Sequence, residues 1–326
     1  MFVDIVEIAA PVKEYFNNFE FEFERKFKSN IPLADQVIQY IAEKKGKRLR
    51  PLLVFLSAAL HGKLTSKTMS AGIVVEMFHT ATLVHDDVVD ESNLRRGART
   101  VNDIWDNKIS ILIGDLLFSK TLSSIVDLQD SHAVAILSSA AEQITEGELL
   151  QIAFTGAPTL KEIDYFDLIS KKTAALFAAS CQLGALTVGT NGEALQYMEK
   201  FGGNYGIAFQ IMDDLLDYQG DSKNLGKPTG NDLRAGKVTL PLIRALETAE
   251  EDQRRPILQL LQDGVQSDEQ IKQIIGFAID RGGIEYAKTL IHHHTQLALG
   301  ALAHYPDSTV KKSLFELVKH SVHRDK

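Results

Sequence analysis

Cysteine, tryptophan and proline are scarce in this 326-residue chain, at one, one and eight copies. The lone Cys181 excludes an intramolecular disulfide framework and suits a reducing compartment; its expected place is a buried position on a helix. Positive charge is also short, 35 Lys and Arg against 43 Asp and Glu, leaving a net charge of -8. Such a balance lacks the basic footprint of a nucleic-acid-binding protein, so no nucleic-acid partner is expected and an anionic ligand needs a local cluster of cations. No stretch is read as approaching the roughly 20 apolar residues that span a bilayer. The opening MFVDIVEIAA lacks the basic-then-apolar order of a signal peptide, and a cytoplasmic protein without a transmembrane segment is expected. Pro/Ser-rich linkers and low-complexity tracts are missing too, which favours a single domain over residues 1–326.

A hydrophobic content of 44% suffices for a large core. Apolar positions recur three and four apart from about residue 33 to the end, with few alternating stretches, so the fold class is all-α. Pro51 follows GKRLR and opens the apolar run LLVFLSAAL, the place where a helix tolerates proline. The next long helix is expected from about Ser66 to Asp90. A polar, Arg-rich break, ESNLRRGART, follows it, and a second break, GDSKNLGKPTGNDLRAGK, covers residues 220–237. The Phe-rich start, with Phe16, Phe19, Phe21, Phe23 and Phe27 within residues 1–30, reads as a packed helix or a subunit contact.

Each break directly follows an aspartate cluster of the form DDxxD: Asp86, Asp87 and Asp90, then Asp213, Asp214 and Asp217. On a helix the first and last aspartates share a face, and the second lies about 100° round. Like charges at that spacing repel, more so when flanking apolar residues such as Val84, Val88, Ile211 and Leu215 desolvate them. A cation removes that cost, and carboxylate oxygens are the ligands Mg²⁺ prefers, usually alongside waters and substrate phosphates. One DDxxD alone also describes a solvated acidic helix end; two copies, each in an apolar helix and each followed by a cationic loop, point to metal. His85, beside the first cluster, raises the alternative of a metal phosphohydrolase, which would need further ligand histidines. The run His292, His293, His294 has no such pattern and is expected to be solvated.

Cations stand near both clusters. Lys47, Arg48 and Arg50 come immediately before a predicted helix, whose N-terminus itself favours anions. Arg95 and Arg96 lie just past Asp86, and Lys172, Thr173, Gln210, Lys227 and Lys237 surround the second cluster in sequence or on its helix. Arginine grips phosphate oxygens bidentately and lysine adds a point charge.

The ordered set GKRLRP, LVHDDVVDESNLRRG, GDLLFSK, EGELLQ, KKTAALF, FQIMDDLLDYQGD and GKPTGNDLRAGKVTLPLI resembles the trans-isoprenyl diphosphate synthases, most of all their long-chain octaprenyl and solanesyl members. The match covers nearly the whole chain and is weakest over residues 1–30. The resemblance implies a bundle of long helices around a central cavity, usually in a homodimer. It also implies a prenyltransferase that condenses isopentenyl diphosphate with an allylic diphosphate such as farnesyl diphosphate. Lys47, Arg50, His79 and Arg96 match positions that bind isopentenyl diphosphate. Arg95, Lys172, Thr173, Gln210, Lys227 and Lys237 match positions around the allylic diphosphate. Asp86, Asp90 and Asp213 match magnesium ligands, with Asp87, Asp214 and Asp217 in support, for three Mg²⁺ ions with bound diphosphate.

Product length is expected from Ala81, about 7.5 Å along the helix axis from Asp86. In this family an aromatic residue there marks short-chain enzymes, whereas a small residue implies products of roughly C30 to C50, centrally C40, for a quinone side chain. Ile111, Leu112 and Phe118 are candidates for a tunnel floor, and a hydrophobic product could bring the protein to a membrane surface. The alternatives are a geranylgeranyl or farnesyl diphosphate synthase and a non-catalytic partner subunit, although all six aspartates are present. A terpene cyclase would need no GKRLRP and usually replaces the second DDxxD.

Overall fold

The computed structural model describes residues 4–44, 46–95, 97–157, 160–219 and 230–322. Helices dominate them, and the one sheet is a two-residue hairpin, Leu94–Arg95 against Ala98–Arg99, in register Leu94 with Arg99 and Arg95 with Ala98. The all-α expectation holds. Two compact units emerge: Met1–Ser139, Leu176–Glu199 and Leu302–Leu317 form one, and Ala140–Ala175, Lys200–Ala301 and Val318–Lys326 form the other.

In the first unit the helix Ser66–Val89 packs against Lys13–Phe27, Leu49–His61, Val101–Trp105 and Asn107–Val126. Its middle is buried on every side from Ala71 to Phe78, as its near-continuous apolar sequence requires. Gly72 makes this possible, because a Cβ there would lie 2.9 Å from the Phe55 ring. Phe19, Phe23 and Phe27, four apart on Lys13–Phe27, form a buried stack with ring centroids 5.4 and 4.5 Å apart, while Phe21 faces outward. The Phe-rich start is therefore a packed helix. The helix expected at Pro51 begins two residues earlier, at Leu49, which places Arg50 inside its first turn.

By length and composition alone the helix Asn107–Val126 could cross a membrane, which corrects the expectation that no stretch is long and apolar enough. Ser110, Ile113, Gly114, Leu117, Thr121 and Ile125 form its buried face. Ile111, Leu112, Phe118, Leu122 and Val126 are exposed on another side, and the Phe118 ring lies 5.9 Å from that of Phe78.

The second unit is built round Leu240–Thr248, which packs on Glu162–Ile169, Asp268–Asp280 and Gly283–Ala301. Tyr165, Ile169, Ile211, Leu215, Tyr218, Leu242 and Ile243 share its core. His292 and His293 are exposed as expected, but His294 is not simply solvated. Its Nδ1 lies 3.0 Å from Asn204 Oδ1, and burial, then the neighbouring His293, lowers its pKa to about 4.

Candidate active site

The first aspartate cluster occupies the last turn of Ser66–Val89, and the helical period sorts its members. Asp87 turns inward and is buried, Asp86 is half-buried, and Asp90 caps the helix in solvent. Backbone N–H groups of Asp90 and Ser92 donate to the carbonyls of Asp86 and Asp87 at 2.8 and 2.9 Å, which closes the helix end. Carboxylates here face the negative end of the helix dipole, an arrangement that favours a nearby cation. One is supplied by the hairpin: Arg95 donates from Nε to Asp87 Oδ1 at 2.7 Å and from Nη2 to Asp86 Oδ2 at 3.0 Å. The hairpin turns at Gly97, whose φ of 75° a side chain would resist. Burial pushes the Asp87 carboxyl above its usual value, and Arg95 offsets only part of that shift. His85 points elsewhere. Its Nε2 lies 3.2 Å from the Ile111 carbonyl oxygen, in space that a Cβ on Gly114 would fill at 2.1 Å, so this imidazole faces the next helix.

Among the cations of the GKRLRP turn, the structure separates two roles. Arg50 Nη1 donates to His79 Nε2 at 3.0 Å, and its guanidinium stands 4.8 Å from the centroid of the Phe177 ring. Lys47 is exposed beside it in the chain. Arg48, to which the resemblance gives no role in binding isopentenyl diphosphate, does not share this arrangement: its guanidinium is taken up by Glu20 and Glu76, at 2.8 and 2.7 Å. Lys47, Arg50, His79, Ala81, Asp86, Asp87, Asp90 and Arg95 thus all belong to the first unit. Ala81 is fully buried. Arg96 lies outside the described residues.

The second cluster, on Glu193–Gln219, is sorted in the same way. Asp213 is exposed, and Asp214 is buried inside a chain of hydrogen bonds. Thr173 Oγ1 donates to Gln210 Oε1, Gln210 Nε2 donates to Asp214 Oδ1, and Tyr165 O–H donates to Asp214 Oδ2, each at 2.7 Å. Burial, reinforced by the charge of Asp232, raises the Asp214 carboxyl well above its ordinary value, although the two donors pull the other way. Asp217 Oδ1 and Oδ2 accept from the backbone N–H groups of Asn231 and Asp232 at 3.0 Å each, so this carboxylate orders the end of the cationic loop. Lys237 follows at once, its N–H donating to the Asp232 carbonyl at 2.8 Å. Lys227 lies outside the described residues.

Lys172 and Thr173 sit in a single π-helical turn, Ser170–Ala174, between Glu162–Ile169 and Ala175–Leu186. Such turns cost regular hydrogen bonding and often mark functional positions. Gly147 lets the backbone of Lys172 come close, since a Cβ there would meet Lys172 N at 2.6 Å. Lys172 Nζ then donates to Glu148 Oε2 at 2.7 Å and to Gln151 Oε1 at 2.9 Å. The EGELLQ and KKTAALF segments are therefore two halves of one structure. Tyr165, Glu148 and Gln151 were not among the residues assigned from sequence. EGELLQ carried a signal for the last two, and nothing local marks Tyr165.

Among the described residues no three carboxylate, imidazole or thiol side chains converge on a common point. The donors present are nonetheless all-oxygen, as a hard divalent cation requires. A guanidinium already bridges Asp86 and Asp87, which shows that this turn accepts positive charge.

A polyprenyl synthetase family model matches residues 31–277. The chain is 36% identical over 319 residues to an all-trans-nonaprenyl-diphosphate synthase (geranyl-diphosphate specific) from Rhodobacter capsulatus, covering 98% of this chain and 97% of that one. It is also 36% identical over 280 residues to a geranylgeranyl diphosphate synthase from Sulfolobus acidocaldarius, 84% of each. A polyprenyl synthase from Caulobacter crescentus, solved with calcium and isoprenyl diphosphate, superposes with a TM-score of 0.92 at 31% identity over 99% of this chain and 98% of that one. With its aspartate turns, its helical fold and these relatives, the chain belongs to the polyprenyl synthetase family and is a trans-prenyl diphosphate synthase, a prenyltransferase.

Proposed function

We propose that the protein is a Mg²⁺-dependent synthase of long-chain prenyl diphosphates, adding isopentenyl units head to tail to an allylic diphosphate such as farnesyl diphosphate until the product reaches roughly C30 to C50, centrally C40. The first aspartate turn carries the reading: Asp86 and Asp87 share one bridging cation at the negative end of a helix, with Asp90 exposed beside them. Asp86, Asp90 and Asp213 are the residues that would hold magnesium, supported by Asp87, Asp214 and Asp217. Bound there, the metal would neutralise charge on the leaving diphosphate.

Lys172, Lys227, Lys237 and Arg95, with Thr173 and Gln210, bind the allylic diphosphate and stabilise the charge that develops as its carbon–oxygen bond breaks. The electron pair of that bond leaves with the diphosphate. Lys47, Arg50, His79 and Arg96 hold isopentenyl diphosphate so that its double bond attacks the allylic carbon. A new carbon–carbon bond forms, and a proton passes to an oxygen of the departed diphosphate, restoring an alkene. A dry site is required, since water would quench the cation, and the segment 220–237 is assigned that role; its residues 220–229 lie outside the described residues.

Length control is assigned to Ala81, a small buried residue five positions before Asp86 on the same helix. A shorter, geranylgeranyl product is the second reading, favoured by the Sulfolobus acidocaldarius relative. The working form is a homodimer, for which the exposed apolar side chains of Asn107–Val126 are the natural contact. Incubation with farnesyl diphosphate, labelled isopentenyl diphosphate and Mg²⁺, followed by sizing of the extracted product, tests the proposal. A band between C30 and C50 supports it. Products of C15 to C20 overturn the role of Ala81, and no elongation with any primer favours a partner subunit.

A further inference from the structure

The basic turn is fastened to the helix Ser66–Val89 at two points one helical turn apart. Arg48 Nη1 donates to Glu76 Oε1 at 2.7 Å, and Arg50 Nη1 donates to His79 Nε2 at 3.0 Å. Residues three apart share a helix face, so Glu76 and His79 are a template on which alternate residues of the turn are laid. Arg48 also reaches a third element. Its Nε and Nη2 donate to both oxygens of Glu20 at 2.8 and 3.3 Å, and its guanidinium lies 4.8 Å from the Phe23 ring centroid and 5.8 Å from that of Phe19. Glu20, Phe19 and Phe23 all belong to Lys13–Phe27, the region where the sequence carries least of the family pattern.

The backbone of Arg48 is left-handed, φ 53° and ψ 38°, a conformation that costs a residue with a side chain. No glycine stands there although Gly46 is two residues away, so the side chain repays the conformation. The Arg48 side chain is only 10% exposed and that of Glu76 8%. Both carboxylates come from the protein's own helices, and together they hold the Arg48 guanidinium in place.

We propose that Arg48 is a positioning residue for isopentenyl diphosphate. Clamped between Glu20 and Glu76, it fixes the left-handed residue that sets Lys47 and Arg50 against the substrate, and so makes the N-terminal helix part of the support of that site. This rests on the reading that Lys47 and Arg50 bind isopentenyl diphosphate.

The test compares Arg48→Met, Arg48→Lys, Glu20→Gln and Arg50→Ala in the full chain, measuring thermal unfolding and KM separately for the two substrates. Arg48→Met keeps the length of the side chain and removes its charge. It is expected to raise KM for isopentenyl diphosphate by about ten- to a hundredfold, while KM for the allylic diphosphate stays within about twofold. Arg48→Lys, which keeps the charge but not the fork, should recover part of that loss. Should Arg48→Met fail to fold, Glu20→Gln loosens one side of the clamp at a partly exposed position, and the same one-sided rise is expected at smaller size. Equal changes in both KM values, or a lowered unfolding temperature with both unchanged, overturn the proposal. If Arg50→Ala also leaves KM for isopentenyl diphosphate unchanged, the underlying assignment of the site is what has failed.

Discussion

Asp87 and Asp214, the second member of each DDxxD, are buried, and each is met by hydrogen-bond donors. Asp87 takes Arg95 from a hairpin eight residues on. Asp214 takes Tyr165 from 49 residues away and Gln210 from the preceding turn. The consequence is testable at Tyr165. Tyr165→Phe keeps the ring in the core and removes the O–H, leaving one oxygen of a buried carboxylate without its donor, which typically costs about 1–3 kcal/mol. Urea unfolding should record a loss in that range, and a lowered kcat should accompany it, since Asp214 shares its turn with Asp213. An unchanged midpoint would mean that the hydroxyl contributes nothing to holding Asp214. The helical period predicted that Asp87 would lie round from Asp86 and Asp90; what it meets there depends on how the hairpin after the helix folds back.

Helices carry most of what pattern alone could find. Ser66–Val89 ends one residue from its expected limit, and the apolar run after GKRLR is a helix that starts two residues before Pro51. Local shape was harder to read. The π turn at Ser170–Ala174 interrupts an otherwise helical pattern without any glycine or proline of its own to announce it, and the glycine it packs closely against, Gly147, lies 25 residues before Lys172. Gly147→Ala would drive a Cβ to 2.6 Å from Lys172 N, a backbone group that cannot swing aside. A destabilisation of about 1–3 kcal/mol is expected. Displacing Lys172 from Glu148 and Gln151 should also raise KM for the allylic diphosphate more than for isopentenyl diphosphate. Steady-state kinetics with each substrate varied in turn check this, and a parallel change in both would separate Gly147 from substrate binding.

For the whole molecule, the apolar side chains left uncovered on Asn107–Val126 are the proposed contact of a homodimer. Leu112 is 63% exposed and Val126 62%, and Leu122 lies between them on the same side of the helix, which also carries the exposed Asp115, Ser119 and Ser123. A homodimer burying this face should sediment as such at micromolar concentration. Leu112→Glu combined with Leu122→Glu, which places four like charges across a two-fold contact, is expected to shift it to monomer without changing the helical content. A wild-type monomer, or a double variant that still sediments as a dimer, would exclude this surface as the contact.

Helical class, the two aspartate turns and the set of cations that accompany them follow from the sequence alone. Periodicity and composition fix an element whatever surrounds it, and the ordered motifs place the family. Which charges remain for a ligand was decided by tertiary structure. Lys47, Arg48 and Arg50 are indistinguishable as a basic run, yet Arg48 is spent on Glu20 and Glu76 while Arg50 stands with His79. A carboxylate many residues away consumes a cation as fully as a substrate does, and only the packing of three helices brings these carboxylates within reach.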